Sequence, residues 1–200
     1  MSENFIGVFE CEEKTIDDIN DFWSYHKKYA TPGRTHNTNE SIIDNNAKES
    51  LDLPLMAETL CFPFDNYRVH LQKSLEQYIK LYSHADGYSK FDIYEPLNIQ
   101  WYPKGGGFKK WHFEASSMPF MSRVLVFMTF LNDVPDGGTM FKYQNITIPA
   151  KKGLTLIWPP GFTHAHKGQV SNTSEKLIVT GWWSLKKWVT LISEIPTSKK

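Results

Sequence analysis

At 200 residues and 23.2 kDa the chain is long enough for one globular domain, and its 22 basic and 22 acidic side chains cancel. That balance argues against a polybasic binder of nucleic acid or membrane surfaces, while 40% hydrophobic residues exclude wholesale disorder. The two cysteines, Cys11 and Cys61, lie far apart without a CxxC, against both a disulfide scaffold and a cysteine zinc site.

No run of apolar residues is long enough to span a bilayer, and the first residues lack the basic and apolar regions of a signal peptide. The expectation is a soluble, cytoplasmic protein of one domain. Residues 1–96 would hold an N-terminal strand, helices and a polar loop, 97–185 a β core, and 186–200 a C-terminal tail.

In chain order, Phe5-Ile-Gly-Val-Phe9 reads as an opening strand. Ile16, Ile19, Phe22 and Trp23 recur at helical spacing over 15–29, with Asp17, Asp18 and Asp21 favouring the N-terminal half and Pro32-Gly33 as the stop. Residues 33–52, rich in Asn, Thr, Ser and Asp, read as a long polar loop suited to a lid. Asp65 or Asn66 can cap a second helix reaching Ser83, with Val69, Leu71, Leu75, Tyr78, Ile79 and Tyr82 on its apolar side.

From residue 97 short β-rich runs alternate with breakers. The candidate strands are Leu97–Tyr102, Arg123–Leu131, Met140–Tyr143, Leu154–Trp158 and Lys176–Ser184. The breakers are Pro103-Lys-Gly-Gly-Gly107, Pro135-Asp-Gly-Gly138, Lys151-Lys-Gly153 and Pro159-Pro-Gly161. Gly137, Gly138 and Gly153 are read as turn glycines. Short strands without long intervening helices predict a mainly β fold, a double-stranded β-helix (jelly roll) with the N-terminal helices packed on it.

The histidines divide into two groups. His26, His36, His70 and His84 have no metal-ligating neighbour and read as surface or packing residues. His112-Phe113-Glu114 is different, because residues i and i+2 of an extended chain share a face and can reach one ion together. One histidine from Thr163-His164-Ala165-His166 would complete two imidazoles and a carboxylate, the facial set of non-haem Fe(II) oxygenases. Three ligands also suit catalytic zinc, and either His164 or His166 fits on spacing. Lys176 follows ten residues after His166; alternation places it on one face with Ile178, Thr180 and Trp182. Pointing inward, its ammonium would demand an acidic ligand. Arg123 suits either the pocket or solvent, and Trp101, Trp158 and Trp182 suit an apolar surround or simple core filling.

Residues 97–185 resemble the Fe(II)- and 2-oxoglutarate-dependent oxygenases, specifically the prolyl 4-hydroxylase-like branch. The resemblance is carried by Gln100-Trp-Tyr102, the following glycine turn, His112-Phe-Glu114 and Arg123-Val-Leu-Val-Phe-Met-Thr-Phe-Leu-Asn132. It continues through Asp136-Gly-Gly-Thr-Met-Phe141, Lys151-Lys-Gly-Leu-Thr-Leu-Ile-Trp158, His166-Lys-Gly168, Lys176 and Trp182. It implies His112, Glu114 and His166 as iron ligands and catalytic centre, with Lys176 on the distal carboxylate of 2-oxoglutarate. Tyr102 would hydrogen-bond this co-substrate, and His164 would support the centre or the substrate.

The implied reaction uses Fe(II), 2-oxoglutarate, O2 and ascorbate, and couples decarboxylation to C–H hydroxylation, foremost of proline in a peptide or protein. Two departures stand out. Glu114 occupies the place of the family's usual aspartate, and Phe130 stands where some relatives carry a tyrosine. A binding module without turnover, a small-molecule hydroxylase and a zinc hydrolase remain open alternatives.

Overall fold

The computed structural model describes residues 4–36, 40–58 and 61–186. Trp188 and the expected tail from 187 onward lie outside the described residues, as does the His36 side chain. No helix among the described residues is long and apolar enough to cross a membrane.

The opening strand β1 (Gly7–Glu10) leads into helix α1 (Glu13–His26), which tightens into a 3-10 turn over Lys27–Tyr29. The helix therefore stops before Pro32-Gly33; Thr31–Pro32 is already extended against strand β2 (Leu51–Leu55). Helix α2 spans Phe64–Leu81, with Asp65 in its first turn rather than at its cap.

The strands β3 (Leu97–Tyr102), β4 (Arg123–Phe130), β5 (Val134–Phe141), β6 (Ile146–Ala150), β7 (Leu154–Trp158), β8 (His166–Gly168) and β9 (Lys176–Leu185) complete two antiparallel sheets. The large sheet runs β1-β7-β4-β9-β3-β2 and ends on Thr31–Pro32, with Phe91–Asp92 pairing on β9; the small sheet runs β6-β5-β8. Two sheets facing each other across a common interior make the predicted jelly roll.

Alternation along the central strands divides the interior into two cores. Leu125 and Phe127 of β4, Val179 of β9 and Ile99 of β3 face the helices. There they pack with Ile16, Ile19 and Trp23 of α1 and Phe64, Tyr67, Leu71 and Tyr78 of α2. The intervening residues Val126, Met128, Phe130, Tyr102 and Ile178 face the small sheet with Phe141, Leu156 and Trp158. The helices thus close one face of the large sheet and leave the other free to form a cavity.

Three expectations need correction. The polar loop of 33–52 ends early: Lys48–Glu49 pairs with Gly107–Phe108, and β2 begins at Leu51. Three of its polar residues, Lys48, Ser50 and Asp52, are buried. The strand expected at 140–143 instead covers Val134–Phe141, running straight through Pro135-Asp-Gly-Gly138. Gly137 and Gly138 are therefore in-strand glycines at a register shift, and a Cβ on Gly138 would stand 2.3 Å from the Ile148 carbonyl oxygen. Gly153, with φ +83°, does serve a turn. Finally, β6 and β8 were not anticipated; β6 is a half-exposed edge strand carrying Pro149, which an edge tolerates.

Candidate active site

A cavity of about 400 Å³ lies between the sheets. Its wall includes Lys176, Ile178, Thr180 and Trp182 of β9, the face that alternation had grouped. Its exposed lining residues, Thr31, Pro32, Arg34 and Ser116, mark where it opens to solvent.

His112, Glu114 and His166 meet in this cavity, with one ligand atom of each inside a 4.8 Å group. The Glu114 Oε1 oxygen is 3.7 Å from His112 Nε2 and 3.6 Å from His166 Nε2. The two histidines are joined by reciprocal backbone bonds, His112 N to His166 O at 3.0 Å and His166 N to His112 O at 2.9 Å. Backbone bonds from Glu114 and Ala115 to the Pro160 carbonyl anchor the carboxylate's own segment.

The three side chains form a group that could hold a metal ion. His112 Nδ1 lies 3.0 Å from the Lys110 carbonyl and His166 Nδ1 lies 2.9 Å from the His164 carbonyl. A carbonyl only accepts, so each Nδ1 carries a proton and each Nε2 is the nitrogen that faces the centre. Burial, reinforced by the neighbouring His166, pushes His112 down to about 3, so its ring is neutral at physiological pH. Burial alone would raise the Glu114 carboxyl, but the contact with His166, the facing His112 ring and the Arg123 guanidinium hold it down at about 2. The neutral His112 ring, a second imidazole at His166 and an anionic oxygen make a donor set suited to a divalent ion.

Spacing left His164 and His166 equivalent; the fold separates them. The His164 ring is buried with Nε2 donating to the Asn4 carbonyl at 3.0 Å, so only its backbone oxygen supports the group.

Lys176 points inward and is buried, donating to the carbonyls of Gly137 at 2.9 Å and Gln169 at 3.0 Å. Among the described residues no carboxylate pairs with it, and burial lowers its ammonium to about 8. Tyr102 lies opposite in register, its ring 5.2 Å from the Lys176 Nζ and its hydroxyl donating to Gln100 Oε1 at 2.6 Å. Burial, with the charges of Asp52 and Glu114, raises the Tyr102 hydroxyl well above its ordinary range, so it remains protonated.

Several lining groups had no sequence signal. Asp52 accepts from Lys48 at 2.5 Å, Ser50 at 2.7 Å and Asn98 at 3.1 Å, with Gln100 Nε2 at 3.5 Å. Phe108 stacks on the His112 ring. Arg123, left undecided by the sequence, faces the cavity and reaches both Glu95 and Glu114. Of the three tryptophans considered, Trp158 and Trp182 line the cavity. Trp101, one residue out of phase with Tyr102, packs on the helix side and donates to Glu175.

The sequence matches no protein-family model and no curated protein. Solved structures do share its fold. A prolyl-4-hydroxylase of Pseudomonas putida superposes with a TM-score of 0.68 at 12% identity, covering 91% of this chain and 93% of that one. The viral collagen prolyl hydroxylase of Paramecium bursaria Chlorella virus-1, in its 2-oxoglutarate complex, gives 0.62 at 14% identity, covering 90% and 97%. A Trichoplax adhaerens prolyl hydroxylase, bound to a peptide fragment of the hypoxia inducible factor oxygen degradation domain, gives 0.68 at 11% identity, covering 90% and 84%. The chain has the jelly-roll fold of the prolyl 4-hydroxylase-like 2-oxoglutarate and Fe(II) oxygenases.

Proposed function

We propose that the chain is an Fe(II)- and 2-oxoglutarate-dependent dioxygenase that couples decarboxylation of 2-oxoglutarate to hydroxylation of a C–H bond, with proline in a peptide as the substrate. The observation that carries this reading is the meeting, in one cavity, of two imidazoles, a carboxylate oxygen and a buried ammonium that has no anionic partner among the described residues. Iron held by His112, Glu114 and His166 would supply the O2 chemistry and the Lewis acidity toward a keto acid.

The remaining work falls to the chain's own side chains. Lys176 would receive the distal carboxylate of 2-oxoglutarate, whose charge offsets the cost of the buried ammonium. Tyr102 would donate a hydrogen bond to the co-substrate at the same end by turning its hydroxyl from Gln100. Met128, Phe130 and Ile178 line the cavity as an apolar wall that keeps water from competing. Phe130 has no hydroxyl to offer, which leaves Lys176 as the principal anion-binding group. A peptide would enter past Thr31, Pro32, Arg34 and Ser116, the exposed residues of the cavity lining, and the peptide-bound Trichoplax neighbour supports this class of substrate.

Succinate production from 2-oxoglutarate tests the reaction. We expect it to depend on Fe(II), on O2 and on His112, and to rise with a proline-containing peptide that gains one oxygen atom by mass. Succinate without peptide oxidation across a panel of proline peptides would overturn the substrate. Neither succinate nor 2-oxoglutarate binding in the iron-loaded protein would overturn the oxygenase.

A further inference from the structure

Glu114 is held at more points than a metal ligand needs. Its Oε2 oxygen accepts from Arg123 Nη1 at 3.0 Å and from Trp182 Nε1 at 3.0 Å. Its backbone carbonyl accepts from the same Arg123 nitrogen at 3.2 Å. Arg123 is fixed in turn: its Nε and Nη2 grip Glu95 at 2.6–3.1 Å, and its guanidinium lies 3.6 Å from the Trp182 ring and 4.2 Å from that of Phe120. Ser184 donates to Glu95 at 2.9 Å and completes the frame.

Two donors use the lone pairs of Oε2, and only Oε1 faces the histidines. We infer that Arg123 and Trp182 are positioning residues that restrict Glu114 to single-oxygen ligation and make glutamate, not aspartate, the matched carboxylate of this centre. The inference rests on the metal-centre reading above. Both donors are mounted on the large sheet, Arg123 at the start of β4 and Trp182 in β9, where β4 and β9 are paired. The backbone of Glu114 is fixed separately by Pro160. An aspartate would withdraw the carboxylate by about one C–C bond, ~1.5 Å. It could then keep the donors or reach the histidines, but not both.

The test is titration of the metal-free full-length protein with Co(II) and with Mn(II), followed by calorimetry and by the Co(II) absorption spectrum. Wild type is expected to take one equivalent, lost in His112→Ala. Glu114→Asp should bind ~10-fold or more weakly, although aspartate is the residue of the resembled family. Trp182→Phe, which keeps the ring but removes the N–H, should weaken binding by a similar factor, the usual scale for a group that orients a ligand. In the Glu114→Asp background, Trp182→Phe should add little. Equal or tighter binding by Glu114→Asp, or unchanged binding by Trp182→Phe, would overturn the inference while leaving the metal centre intact. Failure of wild type to bind in a His112-dependent way would overturn the centre itself. If one variant does not fold by circular dichroism, the other decides.

Discussion

Phe108 and His112 lie face to face, 3.6 Å between ring centroids and 10° between planes. The stack fixes the one ring angle that the Lys110 carbonyl bond leaves soft, so the direction of the His112 lone pair depends on a residue in a two-residue strand. Aromatic pairs contribute about 1 kcal/mol beyond burial. Phe108→Leu should therefore weaken Co(II) binding about five-fold with little change in melting temperature. An unchanged affinity would show that the backbone alone orients His112.

On the proposed function, the buried ammonium of Lys176 predicts how 2-oxoglutarate binding would change with pH. Burial sets it at about 8, below the ordinary lysine value, so above that pH the free protein holds a neutral amine. In the unfolded chain the amine stays protonated to higher pH, so this group makes the fold more stable as pH rises from about 8 toward 10.5. A ligand carboxylate reverses the preference, and binding above pH 8 must take up a proton. The affinity for 2-oxoglutarate should fall up to ~10-fold per pH unit above 8, and Lys176→Gln should bind weakly with a flat profile. Calorimetry at pH 7, 8 and 9 in buffers of different ionisation enthalpy reads both affinity and proton uptake.

A second titration concerns stability. His70 on α2 bonds Thr155 Oγ1 at 2.8 Å, and Thr155 continues through Thr129 to the Tyr67 hydroxyl. Burial, with the nearby Lys73 charge, lowers His70 to about 4. The unfolded chain takes up a proton near pH 6.5 and the folded one does not, so stability should drain away as pH falls from 6.5 to 4. The total is on the order of 2 kcal/mol, allowing for partial exposure. Urea midpoints measured across that range should slope in wild type and lose most of this slope in His70→Gln.

Asp52 holds the opposite wall of the cavity through Lys48, a buried pair at 2.5 Å. Removing one partner strands the other charge, so Asp52→Asn should cost about 3 kcal/mol, and Lys48→Met with Asp52→Asn should recover much of it. Thermal melts of the single and double variants decide this; a double variant no better than the single would assign the loss to Ser50, Asn98 and Gln100.

Period and spacing made much of this legible. The two helices, the strands at 97–102 and 154–158, and the inward row from Lys176 to Trp182 all follow from apolar recurrence or strict alternation. The parts that stayed hidden are those where composition opposes structure. β2 carries Asp52 and Pro54 in a strand, and β5 contains a Pro-Asp-Gly-Gly run that resembles a turn. There a bulge and two glycines let neighbouring strands approach instead. Arg123 and Glu95, like Asp52 and Gln100, are partners only because strand pairing joins distant segments, and no local pattern marks such a pair. Spacing alone left His164 and His166 open and the resemblance implied His166; in the fold the His164 ring turns toward Asn4 and the His166 ring lies beside His112 and Glu114.

The backbone bonds shared by His112 and His166 bear on the order of assembly. His112 and His166 are brought together only across the chain that forms β4 to β7, so their pairing closes a long loop and is expected late in folding. A divalent ion bound there, as proposed, would act as a removable clasp on that loop. It should slow unfolding more than it speeds folding, and a chelator would release the small sheet before the helices let go of the large one.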